Sequence, residues 1–381
     1  MLTSLYIHIP FCLKKCLYCD FNSMADSSVT LEEYAGAVLK EMALRAERLP
    51  GPVTAPTLYF GGGTPSLMAP DLVARLIDAC RRLFGLVHDA EVTLEANPGT
   101  LTFEKLRRYR QAGINRLSLG VQSFNDRYLS LLGRVHTSRE ASDAFVMGRE
   151  AGFDNVGIDL IHSLPGESLT DWLDDLDRAV RLGPEHISAY GLTIEEGTPF
   201  HALEKNGELC LPTEDESARM FRQTMEFLAE KGYEQYEISN FSRPGFRSRH
   251  NRVYWRRGNY LGFGAGAHSF LTLSRFGTRW RNSLSPDAYR ASIGSAVLPE
   301  EEAVFLTERD AMAEFFFLGL RMMEGVDLGQ FYEEFSVAPD DVWPGVIPRL
   351  VARGLLQSFA GRLRLTEQGI ILSNRVFLEF L

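Results

Sequence analysis

No pairing scheme accounts for the cysteines of this 381-residue chain: there are five, three of them (Cys12, Cys16, Cys19) within eight residues, while Cys80 and Cys210 stand alone. That excludes an oxidised scaffold and reads as a ligand cluster in a reducing compartment. Long hydrophobic runs are also missing. The richest, Phe315-Phe316-Phe317-Leu318, is flanked by Glu314 and Arg321, so no helix is expected to span a membrane. The N-terminus has no basic region, and its apolar run is broken by His8 and Pro10, so no secretory signal is expected and a cytoplasmic location follows. Positive charge is in deficit, with 40 Lys and Arg against 50 Asp and Glu and a net charge of −10. This argues against non-specific nucleic-acid binding or adhesion to anionic lipid. With 17 prolines, 45% apolar and 24% charged residues, the composition is that of an ordinary folded protein of two or three domains.

From residue 5 to about 239 short β-branched runs alternate with helical patterns, the signature of β-α units on a parallel sheet. The expected strands are Leu5–Ile9, Thr57–Phe60, Glu91–Leu94, Arg116–Leu119, Asn155–Leu160, His186–Tyr190 and Glu234–Ile238. Thr30-x-x-Glu33 reads as a capping box, and Gly113, Gly152, Gly183 and Gly232 sit where helices should end. In a parallel barrel the residues following the strands share one mouth, where active sites are built. That mouth would collect the cysteines, Gly61-Gly62-Gly63-Thr64-Pro65, Glu95-Ala96-Asn97-Pro98, Gln122, Asp159 and Tyr190.

Beyond about residue 240 the pattern changes. Arginines and aromatics cluster through Arg243–Trp255, glycines crowd Gly258–Gly266, and helices resume after Glu300, so residues 1–239 and 240–381 are expected to form two domains. The stretch from Ile347 to Gly369 reads as helix, hairpin, helix and resembles a winged helix, but residues 301–381 carry seven Arg and no Lys against thirteen Asp and Glu, as befits a packing module and not a DNA-binding one.

Cys12-x3-Cys16-x2-Cys19 is the strongest chemical signal. Three thiolates in one loop can hold three irons of a cubane cluster and leave the fourth iron open to a ligand. The alternative is structural zinc, which needs a fourth ligand; His8 is at hand but lies inside an expected strand. The run Tyr6-Ile-His-Ile-Pro-Phe-Cys12-Leu-Lys-Lys-Cys16-Leu-Tyr-Cys19, with Gly61-Gly-Gly-Thr-Pro65, resembles the radical S-adenosylmethionine (SAM) superfamily. Within it the likeness is to the oxygen-independent coproporphyrinogen III oxidase group, over nearly the whole chain. The resemblance implies an α/β fold: a partial parallel (β/α)6-type barrel holding a [4Fe-4S] cluster and SAM, with a smaller, mainly helical C-terminal domain. It also implies that SAM chelates the open iron and that Cys12, Cys16 and Cys19 are the cluster ligands. By the same resemblance Gly62, Gly63 and Thr64 approach the methionine end of SAM, Glu95 accepts from its ribose, and Gln122, Arg134 and Asp159 line its site. Tyr6, Tyr18 and Phe21 would pack around cluster and SAM.

The chain departs from the oxidase pattern at diagnostic places. The oxidase has a further cysteine where Phe21 stands, and a long N-terminal arm where only eleven residues precede Cys12. In addition, His250-Asn251-Arg252-Val253-Tyr254-Trp255 matches the His-Asn-x-x-Tyr-Trp motif of the HemW branch, whose members resemble the oxidase yet act as haem chaperones. Imidazole is a good axial ligand for haem iron, tyrosine and tryptophan offer flat apolar faces, and arginines at 243, 247, 249, 252, 256 and 257 could pair with propionates or form a solvated face. The leading expectation is a chaperone that binds haem at His250 and passes it to apo-haemoproteins; a membrane-embedded acceptor could recruit it without an anchor. The alternative is the oxidase itself, and a third reading is a radical SAM enzyme with another substrate. The surface is compatible with a monomer or a dimer.

Overall fold

In the computed structural model, which describes residues 1–381, the expected β runs become strands within a few residues of their anticipated bounds. Strands β1 (Ser4–Ile9), β2 (Ala55–Gly62), β3 (Leu86–Ala96), β4 (Arg116–Gln122), β5 (Val156–His162) and β6 (His186–Gly191) lie parallel and hydrogen-bonded in chain order. The intervening helices carry the expected ends. Thr30 and Glu33 form the capping box of helix Leu31–Arg48, and Gly113 and Gly183 close helices Phe103–Ala112 and Leu169–Leu182 in the left-handed conformation.

Along these strands the side chains alternate in character, because successive residues point to opposite faces. One set (Leu5, Ile7 and Ile9 on β1, Leu117, Leu119 and Val121 on β4) packs under the helices in an apolar core of 58 residues. The other set is polar: Tyr59 on β2, Glu91 and Glu95 on β3, Arg116 and Ser118 on β4, Asp159 on β5, His186 and Ser188 on β6. Most of these line one cavity inside the curved sheet. Parallel strands buried on both faces usually read as continuous apolar runs, so this period-two polarity marks a lumen built for ligands.

Two expectations are corrected. The seventh strand, β7 (Glu234–Glu237), does not extend the parallel repeat, because it pairs antiparallel with β8 (Asn240–Ser242). Nor does the sheet end at residue 240. Strand β9 (Tyr260–Phe263) pairs parallel with β1, and β10 (His268–Leu271), β11 (Thr278–Asn282) and β12 (Glu300–Phe305) follow antiparallel, giving one 12-stranded sheet. Phe241, Phe263, Leu271 and Ile293 belong to the same core as β1. The arginines that suggested a new domain belong to the connection between β8 and β9, which carries helix Arg249–Trp255, and the glycines to β9 and the short turn that follows it. A second core, of 18 residues, runs from Ala311 to Phe380, so the break in packing falls between residues 305 and 311.

That second unit contains helices Glu308–Gly319, Leu328–Phe335 and Val346–Ala352 with a small antiparallel sheet of β13 (Val326–Asp327), β14 (Leu356–Phe359) and β15 (Arg362–Leu365), in the expected helix-hairpin-helix order. It is fastened to the large sheet by ion pairs from Glu314, whose oxygens accept from Arg257 at 2.9 Å and Arg279 at 2.7 Å.

Candidate functional site

The cysteine loop leaves the end of β1 and is held in place mainly by backbone. Cys12 N–H donates to the Met24 carbonyl at 2.9 Å, Met24 N–H to Pro10 at 2.8 Å, and Leu17 N–H to Leu132 at 3.1 Å. All three thiols face one cavity of about 450 Å³. Polar donors reach two of the sulfurs: Thr64 Oγ1 to Cys12 Sγ at 3.5 Å and Arg134 Nη1 to Cys16 Sγ at 3.4 Å. Such donors stabilise thiolate charge. Burial pushes the Cys19 thiol up.

The residues present suit a cluster better than zinc. Nowhere do three His, Cys, Asp or Glu side chains converge closely enough to hold a single metal ion, as a closed zinc site requires. His8 is not free to serve as a fourth ligand, since its ring nitrogens meet Tyr6 Oη at 3.0 Å and the Asn22 carbonyl at 2.8 Å. A cluster gives each thiolate its own iron, so its three ligands stand apart around one cavity instead of converging on a point. The cradle beside Cys12 is shaped by Gly63, where a Cβ would fall 3.0 Å from Cys12 Sγ and 2.8 Å from the Phe11 carbonyl.

The expected SAM-site residues gather around this cavity. Gly62, Gly63 and Thr64 form one wall, with Glu95 beside them; Gln122, Arg134 and Asp159 line the other side, and Tyr18 and Phe21 lie at the cysteine loop. Phe21 is 61% exposed at the rim. Glu95 is fixed by Tyr59 Oη, donating at 2.7 Å, and by the Gly62 N–H at 3.2 Å. Burial, with Asp159 nearby, pushes its carboxyl up to about 7. Asp159 stands in the middle of β5, not past its end, and reaches the cavity from within the sheet, gripped by Ser188 at 2.6 Å and Ser118 at 3.0 Å. Gln122 has a φ of 70°, a left-handed conformation that a side chain rarely adopts, at a bulge in the β4–β5 pairing. Such strain is held by its surroundings and aims the amide into the mouth.

Gly62, at φ 112°, is the wall position least tolerant of change, since a Cβ there would lie 2.6 Å from the His8 ring. Gly62→Ala is therefore expected to cost about 1–3 kcal/mol of folding stability, read as a lower denaturation midpoint. An unchanged midpoint would show that the wall yields freely.

Two expected site residues lie elsewhere. Tyr6 is behind the wall, its ring 2.9 Å from a Cβ built on Gly61, and it supports the site without lining it. His250 is at the opposite end of the barrel from the cysteines. Helix Arg249–Trp255 plugs the end where the strands begin, anchored by Glu91, which accepts the Arg249 N–H at 3.0 Å and the His250 N–H at 2.9 Å. The His250 ring is 1% exposed, stacks on Tyr59 with centroids 5.0 Å apart, and has both nitrogens engaged. Thr57 Oγ1 donates to Ser4 Oγ, so it accepts from His250 Nδ1 at 2.7 Å, and Nε2 accepts from Tyr254 Oη at 2.8 Å. Burial, aided by Arg116, lowers this imidazole to about 3, so it stays neutral. In this conformation its ring is not open to a haem iron.

The arginine cluster is largely spoken for. Arg247 pairs with Glu234, Arg256 with Glu324, Arg257 with Glu314 and Glu334; Arg243 and Arg249 donate to the carbonyls of Lys231 and Asp89. Residues that sequence reasoning missed are polar ones away from the strand ends that form the mouth, Thr57, Glu91, Arg116 and His186. Their period-two alternation with apolar neighbours was the signal that could have found them.

Comparison with known proteins agrees with this geometry. A family model described as Radical SAM superfamily matches residues 6–179, and one described as HemN C-terminal domain matches residues 306–372, which is the second core. The chain is 38% identical over 379 residues to the protein named heme chaperone HemW of Bacillus subtilis, covering 99% of each. It is 36% identical over 379 residues to the one of that name from Escherichia coli, covering 99% of this chain and 98% of that one. Among solved structures it is similar to coproporphyrinogen III oxidase (HemN) from Escherichia coli, titled a radical SAM enzyme. The TM-score is 0.83 at 24% identity, covering 100% of this chain and 89% of that one. At that identity the likeness is one of fold.

Proposed function

The chain belongs to the radical SAM superfamily, in the HemW branch of its coproporphyrinogen-oxidase-like group, and from that membership we propose that it is a haem chaperone which binds a [4Fe-4S] cluster, SAM and haem and delivers haem to apo-haemoproteins. The observation that carries this reading is the match to relatives named heme chaperone HemW from end to end, cysteine loop and second core alike. The absence of a cysteine at position 21 supports it against the oxidase. Cys12, Cys16 and Cys19 would hold the cluster. When bound, it supplies an iron with an open position and one transferable electron. Around it Glu95 would orient the ribose of SAM by accepting its hydroxyls, and Gly62 and Gly63 would let backbone approach the amino-acid end.

Haem would be held through His250, and the structure sets a condition on that role. Only Nε2 carries a free lone pair in the tautomer that Thr57 imposes, and Tyr254 Oη occupies it. Ligation therefore needs helix Arg249–Trp255 to loosen and Tyr254 to give way. In a haem titration followed at the Soret band, His250→Ala is expected to lose saturable one-to-one binding, while Tyr254→Phe, which removes the competing hydroxyl, binds at least as tightly as the unmodified chain. Binding indifferent to His250 would remove it as the ligand. Absence of haem binding together with decarboxylation of coproporphyrinogen III would replace the chaperone by the oxidase.

A further inference from the structure

The cavity below the SAM wall continues down the lumen to the barrel floor, where Arg116, His186, Ser188 and Asn251 line it. Arg116 is the first residue of β4, four residues before Gly120 at the mouth, or about 13 Å along the strand. It is among the largest side chains fully withdrawn from solvent, with 1% exposure. Its Nε is buried without a hydrogen-bond partner. Glu91 and Asp159 lie near enough to balance its charge and keep it protonated, but their hydrogen bonds go elsewhere: Glu91 with the N–H groups of Arg249 and His250, Asp159 with the hydroxyls of Ser118 and Ser188.

A guanidinium carries five N–H donors in a planar fork that matches a carboxylate with two parallel bonds. A buried N–H of this fork left unmet is costly even where nearby carboxylates balance the charge, and a ligand acceptor in the cavity would meet it. The other walls suit an oxyanion of small size. The Asn251 amide can donate, the serines are slim, and all of them line the same cavity as Arg116.

We propose that the floor of the barrel lumen is a carboxylate-binding subsite centred on Arg116, with Asn251 as its second donor. The carboxylate is either a free small acid of formate or acetate size or an arm of a larger ligand, such as a propionate of the tetrapyrrole. The second source rests on the haem reading above; the first does not. Because Asn251 adjoins His250 on the floor plug, filling the subsite would also brace or displace that plug.

The test uses the full-length protein, with Arg116→Gln, Arg116→Lys and Asn251→Leu beside it, each checked for an unchanged circular dichroism spectrum and melting transition. In one arm ¹³C-formate and ¹³C-acetate are titrated and followed by NMR. In the other, haem is compared with its dimethyl ester, which lacks carboxylates. Saturable formate or acetate binding that weakens at least tenfold in Arg116→Gln and Asn251→Leu, and is partly kept in Arg116→Lys, supports the free-acid source. A preference for haem over its ester that disappears in Arg116→Gln supports the tetrapyrrole source. If both free acids bind equally to the unmodified and Arg116→Gln proteins or not at all, and the ester preference is independent of Arg116, the proposal fails. Should Arg116→Gln not fold, Asn251→Leu decides alone, since it fills the floor without removing a buried charge. Failure of haem binding altogether would count against the chaperone reading and leave the formate arm to judge the subsite.

Discussion

Replacing Cys12, Cys16 or Cys19 with alanine, one at a time, is expected to strip the anaerobically purified protein of its iron and its brown colour. Each thiolate would hold a separate iron, so none is redundant, and no fourth thiol stands by in the loop because position 21 is phenylalanine. The remaining cysteines cannot substitute. Cys80 is buried on helix Pro70–Phe84, on the outer side of the sheet, and burial pushes its thiol far up; Cys210 is exposed in another segment. Cys80→Ser and Cys210→Ser are therefore expected to keep their full iron content. Iron analysis and the visible absorption spectrum decide the matter. A single alanine variant in the loop that retained its iron would overturn the ligand set, and loss of iron from Cys210→Ser would extend it.

Much of this was legible in the sequence because the signals are local. A capping box, a glycine after a helix or a β-branched run declares itself within a few residues, and so Thr30, Gly113 and strands β1 to β6 fell where expected. The mouth was legible for the same reason: the loops after strands carry its chemistry. What was not legible depends on long-range closure. The position of His250 is set by Glu91, 159 residues earlier, and by Thr57, 193 residues earlier, so its motif could suggest an exposed ligand while the fold buries it on the inner side of the plug helix. The boundary failed similarly. Only the pairing of β9 with β1 shows that the glycine-rich stretch near residue 260 completes the first sheet and does not begin a second domain.

Affinity for SAM is expected to rise with pH through about 7, and to do so because of Glu95. Its folded value of about 7 lies above the ordinary carboxyl value of 4.5, chiefly through burial. Below that pH the carboxyl is protonated, one oxygen becomes a donor, and it can no longer accept a ribose hydroxyl as a carboxylate would. Above it, the ionised group keeps its bonds from Tyr59 and Gly62 and has lone pairs left for the ribose. Binding that requires the ionised form falls by up to about tenfold per pH unit on the acid side, one proton being taken up. The other ionisable groups that face it are Tyr59, Asp159 and Arg116 on neighbouring strands, with Tyr6 and Tyr254 beyond them, and none of them is altered in Glu95→Gln. Calorimetric titration of SAM from pH 6 to 8 should therefore show a steeper slope in the unmodified protein than in Glu95→Gln, where the α-amino group of SAM itself is what still titrates in this range. At pH 8, Glu95→Ala should bind about 10- to 100-fold more weakly, the worth of one or two hydrogen bonds to a charged group. Cluster content should stay intact in both variants, since Glu95 touches no cysteine. A slope as steep in Glu95→Gln as in the unmodified protein would assign the proton to another group, and unchanged affinity in Glu95→Ala would remove this carboxylate from the SAM site.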